Sequence, residues 1–164
     1  MLTDAQLLIF KAALLAETDP ELVGYRTNGQ TPLIAGWYNQ DKTPAVVVWR
    51  TSVKQDEIMQ NGFDWAQVDN LTVGAARIWE WMFNNVAQSI NPSKLNVRAG
   101  IDECWKGTAA KLAVRDAIYL HCKRNATRGE ALYATGTGTT LSPSTMGFEG
   151  QITEYDVARA LSAP

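Results

Sequence analysis

The sequence predicts a mainly α-helical fold, with a bundle-like helical body and a Gly/Ser/Thr-rich extended arm or small β-hairpin near the C-terminus. Two observations support this prediction. Capping boxes, in which Ser or Thr is followed three residues later by Glu or Gln, precede stretches with apolar residues at helical spacing. The composition then changes at Thr135, where the chain reads TGTGTTLSPST. We therefore expect a helical body over 1–134 and, in the same single domain, an arm or hairpin with a short C-terminal helix over 135–164.

The bulk composition is that of an ordinary globular protein. The chain has 164 residues, of which 46% are hydrophobic and 20% charged, and its net charge is −2. This length fits about one domain, which can bury a core large enough to fold without a metal or disulfide. The balance of charge does not mark the whole chain as a nucleic-acid binder.

The first third of the chain predicts two helices with a short helix or a turn between them. Thr3 and Gln6 form a capping box for a helix from about Asp4 to Glu17. Its apolar residues are expected to share one buried face with flanking positions, namely Leu7, Phe10 and Leu14 with Leu8, Ala12 and Leu15. Asp19-Pro20-Glu21 indicates a short helix or a turn to Gly24, and Pro32 to Tyr38 indicates another short helix.

The central stretch predicts a strand followed by two helices. The β-branched run Ala45 to Trp49 favours a buried strand, although its periodicity does not distinguish a strand from a helix. Ser52 and Gln55 form a capping box that predicts a helix over Val53 to Gln60. Thr72 should cap a helix to Phe83 whose buried side carries Ala75, Trp79, Met82 and Phe83.

The last third predicts further helices around the Gly/Ser/Thr-rich segment. One helix should begin at Asn91-Pro92-Ser93 and end near Gly107, and another should run from Thr108 to about Lys123. The buried stripe of the second is expected to comprise Ala110, Ala113, Val114, Ala117 and Leu120 or His121. Thr127 and Glu130 open a short helix, 146–152 alternates weakly like a strand, and Thr153 caps a final helix.

Candidate reactive groups do not form a recognisable catalytic pattern. His121 and Cys122 are adjacent, and neighbouring residues on a helix point about 100° apart, so they do not form a nucleophile pair. Together with Cys104 they are too few for a zinc site, which needs four ligands. Gly136-Thr137-Gly138 lacks the following lysine of a phosphate-binding loop. We therefore predict no catalytic, cofactor or metal-binding residues, and no enzyme activity.

The N-terminus and the apolar runs indicate neither export nor membrane insertion. The first residues have no basic region before the apolar ones, and no apolar run is long enough to span a bilayer. We expect the chain to fold in the cytoplasm without a membrane contact.

Two compositional features indicate contact surfaces. Basic residues outnumber acidic ones from Lys94 to Arg128, and Lys111 and Arg115 lie one turn apart, so they are candidate DNA-facing residues. The alternative is a solvated face or a salt-bridged contact between subunits. The chain also has 6 tryptophans, which are enriched at interface hot spots, so some are expected at subunit contacts.

Four short sequence segments resemble those of a family of small structural proteins of tailed bacteriophages and prophages. They are YNQ (Tyr38 to Gln40), VWRTSV (Val48 to Val53), NPSKLNVRAG (Asn91 to Gly100) and ATGTGTTLSPSTMGFEG (Ala134 to Gly150). Proteins of this size and build resemble head–tail connector adaptors, also called head-completion or neck proteins. The resemblance implies no catalytic residue.

The resemblance implies a homo-oligomeric ring of about a dozen copies, closed by two different patches on each subunit. Such a ring binds the portal protein above and a tail or neck protein below, and extends the conduit for packaged DNA without sequence-specific binding. The expected location is the head–tail junction of the virion, after assembly in the host cytoplasm. An arm over Thr135 to Ile152 would contact the neighbouring ring. Candidate interface residues are Trp49, Arg50, Trp65, Met146, Phe148 and Ile152.

Two other functions remain open at this point. A tail-completion or tail-terminator protein is one alternative, although terminators tend to be α/β. A small DNA-binding or regulatory module that uses the basic Lys94–Arg128 region is the other, and steep salt dependence of binding would support it.

Overall fold

The computed structural model describes residues 1–60 and 62–162, and the chain divides into two compact units. Unit 1 comprises Met1–Val48 and Asn125–Pro164, and unit 2 comprises Trp49–Arg124. The fold is mainly α, as predicted, with 52% helix and small two-stranded sheets. The boundary expected between the helical body and the arm, at residues 134 and 135, lies inside unit 1.

The helices and strands of the described residues follow one another in a simple order. The helices are α1 (Asp4–Ala16), α2 (Pro20–Thr27), α3 (Thr31–Tyr38), α4 (Gln55–Ile58), α5 (Val73–Phe83), α6 (Leu95–Cys104), α7 (Ala109–His121), α8 (Arg128–Ala131) and α9 (Glu154–Ser162), with a 3₁₀ turn at Trp65–Gln67. The strands are β1 (Val47–Trp49), β2 (Val53–Lys54), β3 (Ser89–Ile90), β4 (Lys123–Asn125), β5 (Ala134–Thr135) and β6 (Thr145–Met146). The chain passes between the units within β1 and β4.

Unit 1 is a helical core built on α1, α2, α3 and α9. The capping box that opens α1 forms as predicted, because Gln6 N donates to Thr3 Oγ1 and Thr3 N donates to Gln6 Oε1. The buried cluster includes Leu7, Phe10, Leu14, Leu22, Ile34, Trp37, Tyr38, Ile152 and Val157. Leu8, Ala12 and Leu15 do not flank this core but are exposed, because they lie on the opposite side of α1 from Phe10.

The Gly/Ser/Thr-rich segment lies against unit 1, and a projecting arm is not confirmed. Val47 N donates to Gly138 O at 2.8 Å, and Ser144 N donates to Val47 O at 2.9 Å. β5 and β6 pair antiparallel, with Ala134 opposite Met146. The weakly alternating segment 146–152 was expected to resemble a strand. β6 covers only Thr145–Met146, so most of that segment is not a strand. Backbone hydrogen bonds therefore hold both ends of this segment, and its exposed residues lie between them.

Unit 2 packs its core around α5, α6 and α7. Thr72 caps α5 as predicted, since its Oγ1 accepts from Ala75 N at 3.2 Å, and Trp79 and Phe83 are buried. The buried cluster includes Trp49, Val53, Ile58, Phe63, Trp79, Phe83, Ile90, Ile101, Trp105, Val114 and Ile118.

The predicted helix over 53–60 is mostly wrong. Val53 and Lys54 form β2, which pairs antiparallel with β3 so that Val53 lies opposite Ile90. Only Gln55–Ile58 is helical. The capping box expected at Ser52 therefore does not form, because backbone pairing to a distant strand replaces the local helix start.

The next two helices differ from the prediction in their start and in their buried face. The side chain of Asn91 accepts from Ser93 N in a turn, so α6 begins only at Leu95. On α7 the buried residues are Val114 and Ile118, whereas Ala110, Ala113 and Leu120 are exposed. Branched side chains bury more apolar area than alanine, which explains why the core selects that face.

Candidate interaction surfaces

Trp49, a predicted interface residue, is buried within unit 2. The Arg98 guanidinium carbon lies 4.7 Å from the centre of its ring, and Lys123 Nζ lies 5.2 Å away. The Tyr119 ring packs against it edge-on at 5.5 Å. Cations over an indole face are attracted to its electron density. Trp49 therefore organises the core of unit 2 and leaves little surface for a partner.

Arg50 is engaged within unit 2 as well. Its Nη1 lies 2.6 Å from Glu57 Oε2 and donates to the backbone oxygen of His121 at 3.1 Å. The hydrogen bond from Arg50 is the largest influence on the pKa of Glu57, and it holds that pKa below its usual value. Arg50 is partly buried, so a partner would compete with these contacts.

The two candidate DNA-facing residues also make internal contacts. Lys111 Nζ donates to Asn70 O at 2.7 Å. Arg115 lies 2.9 Å from the Asp116 carboxylate and 3.9 Å from that of Asp102. The two carboxylates lower the positive potential that a DNA phosphate would meet at Arg115.

Two tryptophans of unit 2, Trp65 and Trp81, are exposed and are each a candidate contact residue. Trp65 is 58% exposed and Trp81 is 69% exposed. Trp65 packs one edge on Phe63 at 5.1 Å between ring centres, which orients it without covering it. Trp81 lines an open groove of about 390 Å³ together with Gln55, Glu80, Phe83 and Asn84. Exposed indoles of this kind are typical of subunit contacts.

Of the three interface candidates after the Gly/Ser/Thr-rich segment, Ile152 lies in the core of unit 1 and Phe148 packs against it. Ile152 is buried, and its backbone exchanges hydrogen bonds of 2.8 and 2.9 Å with the Asn39 side chain. Phe148 packs edge-on against Tyr133 at 5.6 Å and is half-buried, as is Met146. Ile152 therefore offers almost no exposed surface, whereas Leu141, a large apolar residue of the same region, is 97% exposed.

The outward side of α1 is a second apolar surface, in unit 1. We call it the α1 stripe, and it consists of the exposed residues Ala5, Leu8, Ile9, Ala12, Leu15 and Ala16. Leu8, Ile9 and Leu15 are 57%, 49% and 53% exposed. A helix with apolar residues on both faces has one face in the core of its own unit and a second face that a partner can cover.

Reactive chemistry is poorly supported by the described residues. Burial is the main cause that raises the pKa of the Cys104 thiol to about 11 and that of Cys122 to about 12, so both are protonated at neutral pH. Cys104 Sγ donates to Ala75 O at 3.3 Å. Within residues 1–60 and 62–162, no cluster of three or more His, Cys, Asp or Glu side chains is placed to hold a metal ion.

A membrane-spanning helix is also not found: in the described part of the chain, none of the helices combines the length and apolar character that crossing a bilayer requires.

The exposure of Trp81 could have been predicted from the sequence, although the prediction missed it. Trp81 follows Trp79 by two positions on α5, and two helical steps rotate a side chain by about 200°. Because Trp79 was placed in the core, Trp81 had to face away from it. The α1 stripe was harder to recognise, since its leucines are next to the core positions in sequence.

Three comparisons of the chain, with protein-family models, with curated proteins and with solved structures, find no match.

Proposed function

We propose that this chain is a structural virion protein of a tailed bacteriophage, and that it forms a ring at the head–tail junction between the portal protein and the neck or tail protein below. The proposal starts from the resemblance of four sequence segments to a family of phage structural proteins. The mainly helical fold agrees with a connector adaptor better than with an α/β tail terminator.

The observation that carries the proposal is the exposure of Trp65 and Trp81. Leaving an indole in water forgoes about 2–3 kcal/mol of burial, so a monomer gains no stability from this arrangement. A subunit that buries them in an assembly does gain it. A closed head-to-tail ring needs two different surfaces on each copy, and we assign the two tryptophans of unit 2 to these ring contacts.

We further propose that the loop between β5 and β6 contacts the adjacent protein of the neck. Its ends are held by hydrogen bonds to Val47, while Leu141 at its tip is exposed. A loop that is fixed at its base and apolar at its tip suits docking on a neighbouring ring. This assigns the contact to the tip instead of to Met146, Phe148 and Ile152.

Packaged DNA would pass through such a ring without sequence-specific binding. Because carboxylates lie 2.9 and 3.9 Å from Arg115, whereas Lys111 Nζ contacts the neutral backbone oxygen of Asn70, we expect Lys111→Glu to weaken residual DNA binding more than Arg115→Glu. The measurement is filter binding between about 50 and 200 mM salt. If both variants lost DNA binding to the same large extent, the result would instead favour a dedicated DNA-binding module.

The decisive experiment is immunogold labelling of purified virions with an antibody to this chain, viewed by negative-stain electron microscopy. We expect gold only at the head–tail junction. Gold along the tail or at its far end would assign the chain to the tail. Virions without gold would contradict a structural role.

A variant test separates ring formation from neck docking. Trp81→Gln should prevent incorporation into virions by removing a ring contact, and Leu141→Glu should allow ring assembly but prevent attachment of the next neck component. Thr140→Ser, a conservative change in the same loop, is the control. Normal virions from both test variants would contradict the assignment of these surfaces.

A further inference from the structure

The turn that follows α2 carries an asparagine–glycine pair that is open to solvent. Asn28 is the residue that ends α2, and Gly29 follows it with a φ of +66°. Both residues are exposed, and a Cβ at Gly29 would meet nothing within 4 Å. Glycine has no side chain to shield its backbone nitrogen, and its backbone rotates more freely than that of other residues. The Gly29 nitrogen is therefore sterically unhindered.

The same nitrogen is a nucleophile that can close a five-membered ring with the Asn28 side chain. After its proton is lost to water, the Gly29 nitrogen forms a bond to Asn28 Cγ. The bond between Cγ and Nδ2 breaks, and Nδ2 takes up a proton and leaves as ammonia. Water then opens the resulting succinimide at either carbonyl, which gives aspartate or isoaspartate. The net reaction consumes water and releases ammonia, and it needs no oxidant or reductant.

The folded turn slows this reaction without blocking it. At the observed ψ of 3° for Asn28, the Gly29 nitrogen is rotated away from Cγ. Gly29 N also donates to Arg26 O at 3.2 Å, and Gln30 N donates to Tyr25 O at 2.9 Å. Ring closure therefore requires these two hydrogen bonds to open. They lie at the exposed end of a helix of 8 residues, where local opening costs less free energy than unfolding of the whole chain.

Asn39, in the same unit, provides a contrast. Its Nδ2 donates to Ile152 O at 2.9 Å, and its Oδ1 accepts from Ile152 N at 2.8 Å. Gln40 follows it, so a side chain shields the backbone nitrogen that would have to attack. The Asn39 amide is held at both ends, and we expect it to stay intact under conditions that convert Asn28.

We propose that Asn28 is a site of spontaneous deamidation, and that the folded protein accumulates aspartate and isoaspartate at this position through local opening of the end of α2. The inference does not rest on the proposed phage function, because the reaction needs only this chain and water.

Conversion of Asn28 should loosen the turn between α2 and α3. Isoaspartate adds a methylene group to the main chain, which disturbs the spacing of the two hydrogen bonds that close α2. Either product also adds a negative charge at the C-terminal end of α2, where the helix dipole is itself negative. We therefore expect the modified fraction, separated by anion exchange, to unfold at a lower temperature than the unmodified protein.

Peptide mapping of the full chain tests the site. After incubation at mildly alkaline pH, trypsin releases the peptide 27–42, which contains both Asn28 and Asn39. We expect two products of this peptide, each with the mass of an aspartate in place of asparagine, and fragment-ion masses should assign the change to Asn28. A sample digested without incubation corrects for conversion during digestion. Asn61, which also precedes a glycine, lies outside the described residues and belongs to a different tryptic peptide.

Variants identify the reacting groups. Asn28→Gln should abolish both products, because the longer side chain would have to close a six-membered ring, which forms much more slowly. Thr27→Ser, a conservative change at the neighbouring position, is the matched control and should convert like the wild type. The proposal is overturned if Asn28 stays intact in the folded protein while the denatured protein converts, or if Asn39 converts as fast as Asn28.

Denaturant distinguishes local opening from global unfolding. An opening confined to the end of α2 exposes little surface, so guanidinium chloride below the unfolding transition should barely change the rate of conversion at Asn28. A rate that rises with denaturant as steeply as the unfolded fraction would show that only unfolded chains react, and it would overturn the proposal.

Discussion

The backbone N–H of Leu2 donates a hydrogen bond of 2.9 Å to Asp156 Oδ1, a contact between residues 154 positions apart. Thr153 donates two further hydrogen bonds to the other oxygen of the same carboxylate, at 2.6 and 3.1 Å. Asp156 is fully buried. One carboxylate thus caps α9 and fixes the start of the chain beside it.

This contact predicts an acid-sensitive contribution to stability. Burial raises the pKa of Asp156, but the hydrogen bonds from Thr153 and Leu2 outweigh it, so the pKa lies below its usual value. The contribution is present above the unfolded-state pKa of about 3.9 and is lost as the pH falls through the lower folded-state pKa.

We therefore expect Asp156→Asn to lower the free energy of unfolding by about 1–3 kcal/mol at pH 7, and by less at pH 2. Urea denaturation across this range is the measurement. Asp69→Asn, at an exposed carboxylate, is the control. A loss that is the same at both pH values would show that the ionised carboxylate is not what stabilises the fold.

Gly129 should not tolerate a side chain. A Cβ at this position would lie 2.7 Å from Ile152 Cγ1 and 3.4 Å from the backbone oxygen of Tyr38. We expect Gly129→Ala to destabilise the fold by about 1–3 kcal/mol, as overpacking does.

The matched control for that substitution is Gly36→Ala, in α3. A Cβ there meets nothing within 4 Å, and alanine is favoured over glycine in a helix by about 0.5–1 kcal/mol. Gly36→Ala should therefore stabilise. Thermal unfolding of both variants measures the difference, and a Gly129→Ala variant as stable as the wild type would contradict the close packing.

Trp79 and Trp81 should respond oppositely to truncation although they lie on one helix. Trp79 is buried, stacks on Phe63 and packs edge-on against Phe83 and Trp105, so Trp79→Ala should cost about 3–5 kcal/mol. Trp81→Ala should cost less than about 1 kcal/mol because the ring is largely exposed. Urea titrations measure both, and a large loss for Trp81→Ala would mean that its role lies inside the monomer.

The two native thiols should be unreactive in the folded chain. Burial raises the pKa of Cys104 to about 11 and that of Cys122 to about 12, and it also blocks access of reagents. With Ellman's reagent at pH 8 we expect no fast reaction before denaturation and reaction of both thiols after it. Leu141→Cys should react within seconds and serves as the positive control. Fast labelling of the wild type would contradict the burial of the thiols.

Elements defined by local chemistry were predictable. The capping boxes at Thr3 and Thr127, and the cap at Thr72, form as predicted because the donor and acceptor lie within one turn. The helix expected after Ser52 failed because Val53 pairs with Ile90, a partner 37 positions away. No local pattern contains that contact.

The candidate surfaces, too, were predictable from residue type only in part. Residue type made tryptophan a reasonable interface candidate, but exposure decides which one qualifies. Trp49 is covered by Arg98 and Lys123, whereas Trp65 and Trp81 are open to solvent. Of the residues chosen around the Gly/Ser/Thr-rich segment, Ile152 is in the core, while Leu141 at the loop tip is exposed.

The sequence by itself determined the helical class and most helix starts, because these follow from contacts within a turn and from residue type. The tertiary structure decided which of two apolar faces of α1 packs inside, since Leu7 and Leu8 have the same hydrophobicity and only Leu7 meets the core. It also decided where the strands lie and which tryptophans remain exposed. Burial depends on residues far away in the chain, and their positions follow only from the packed fold.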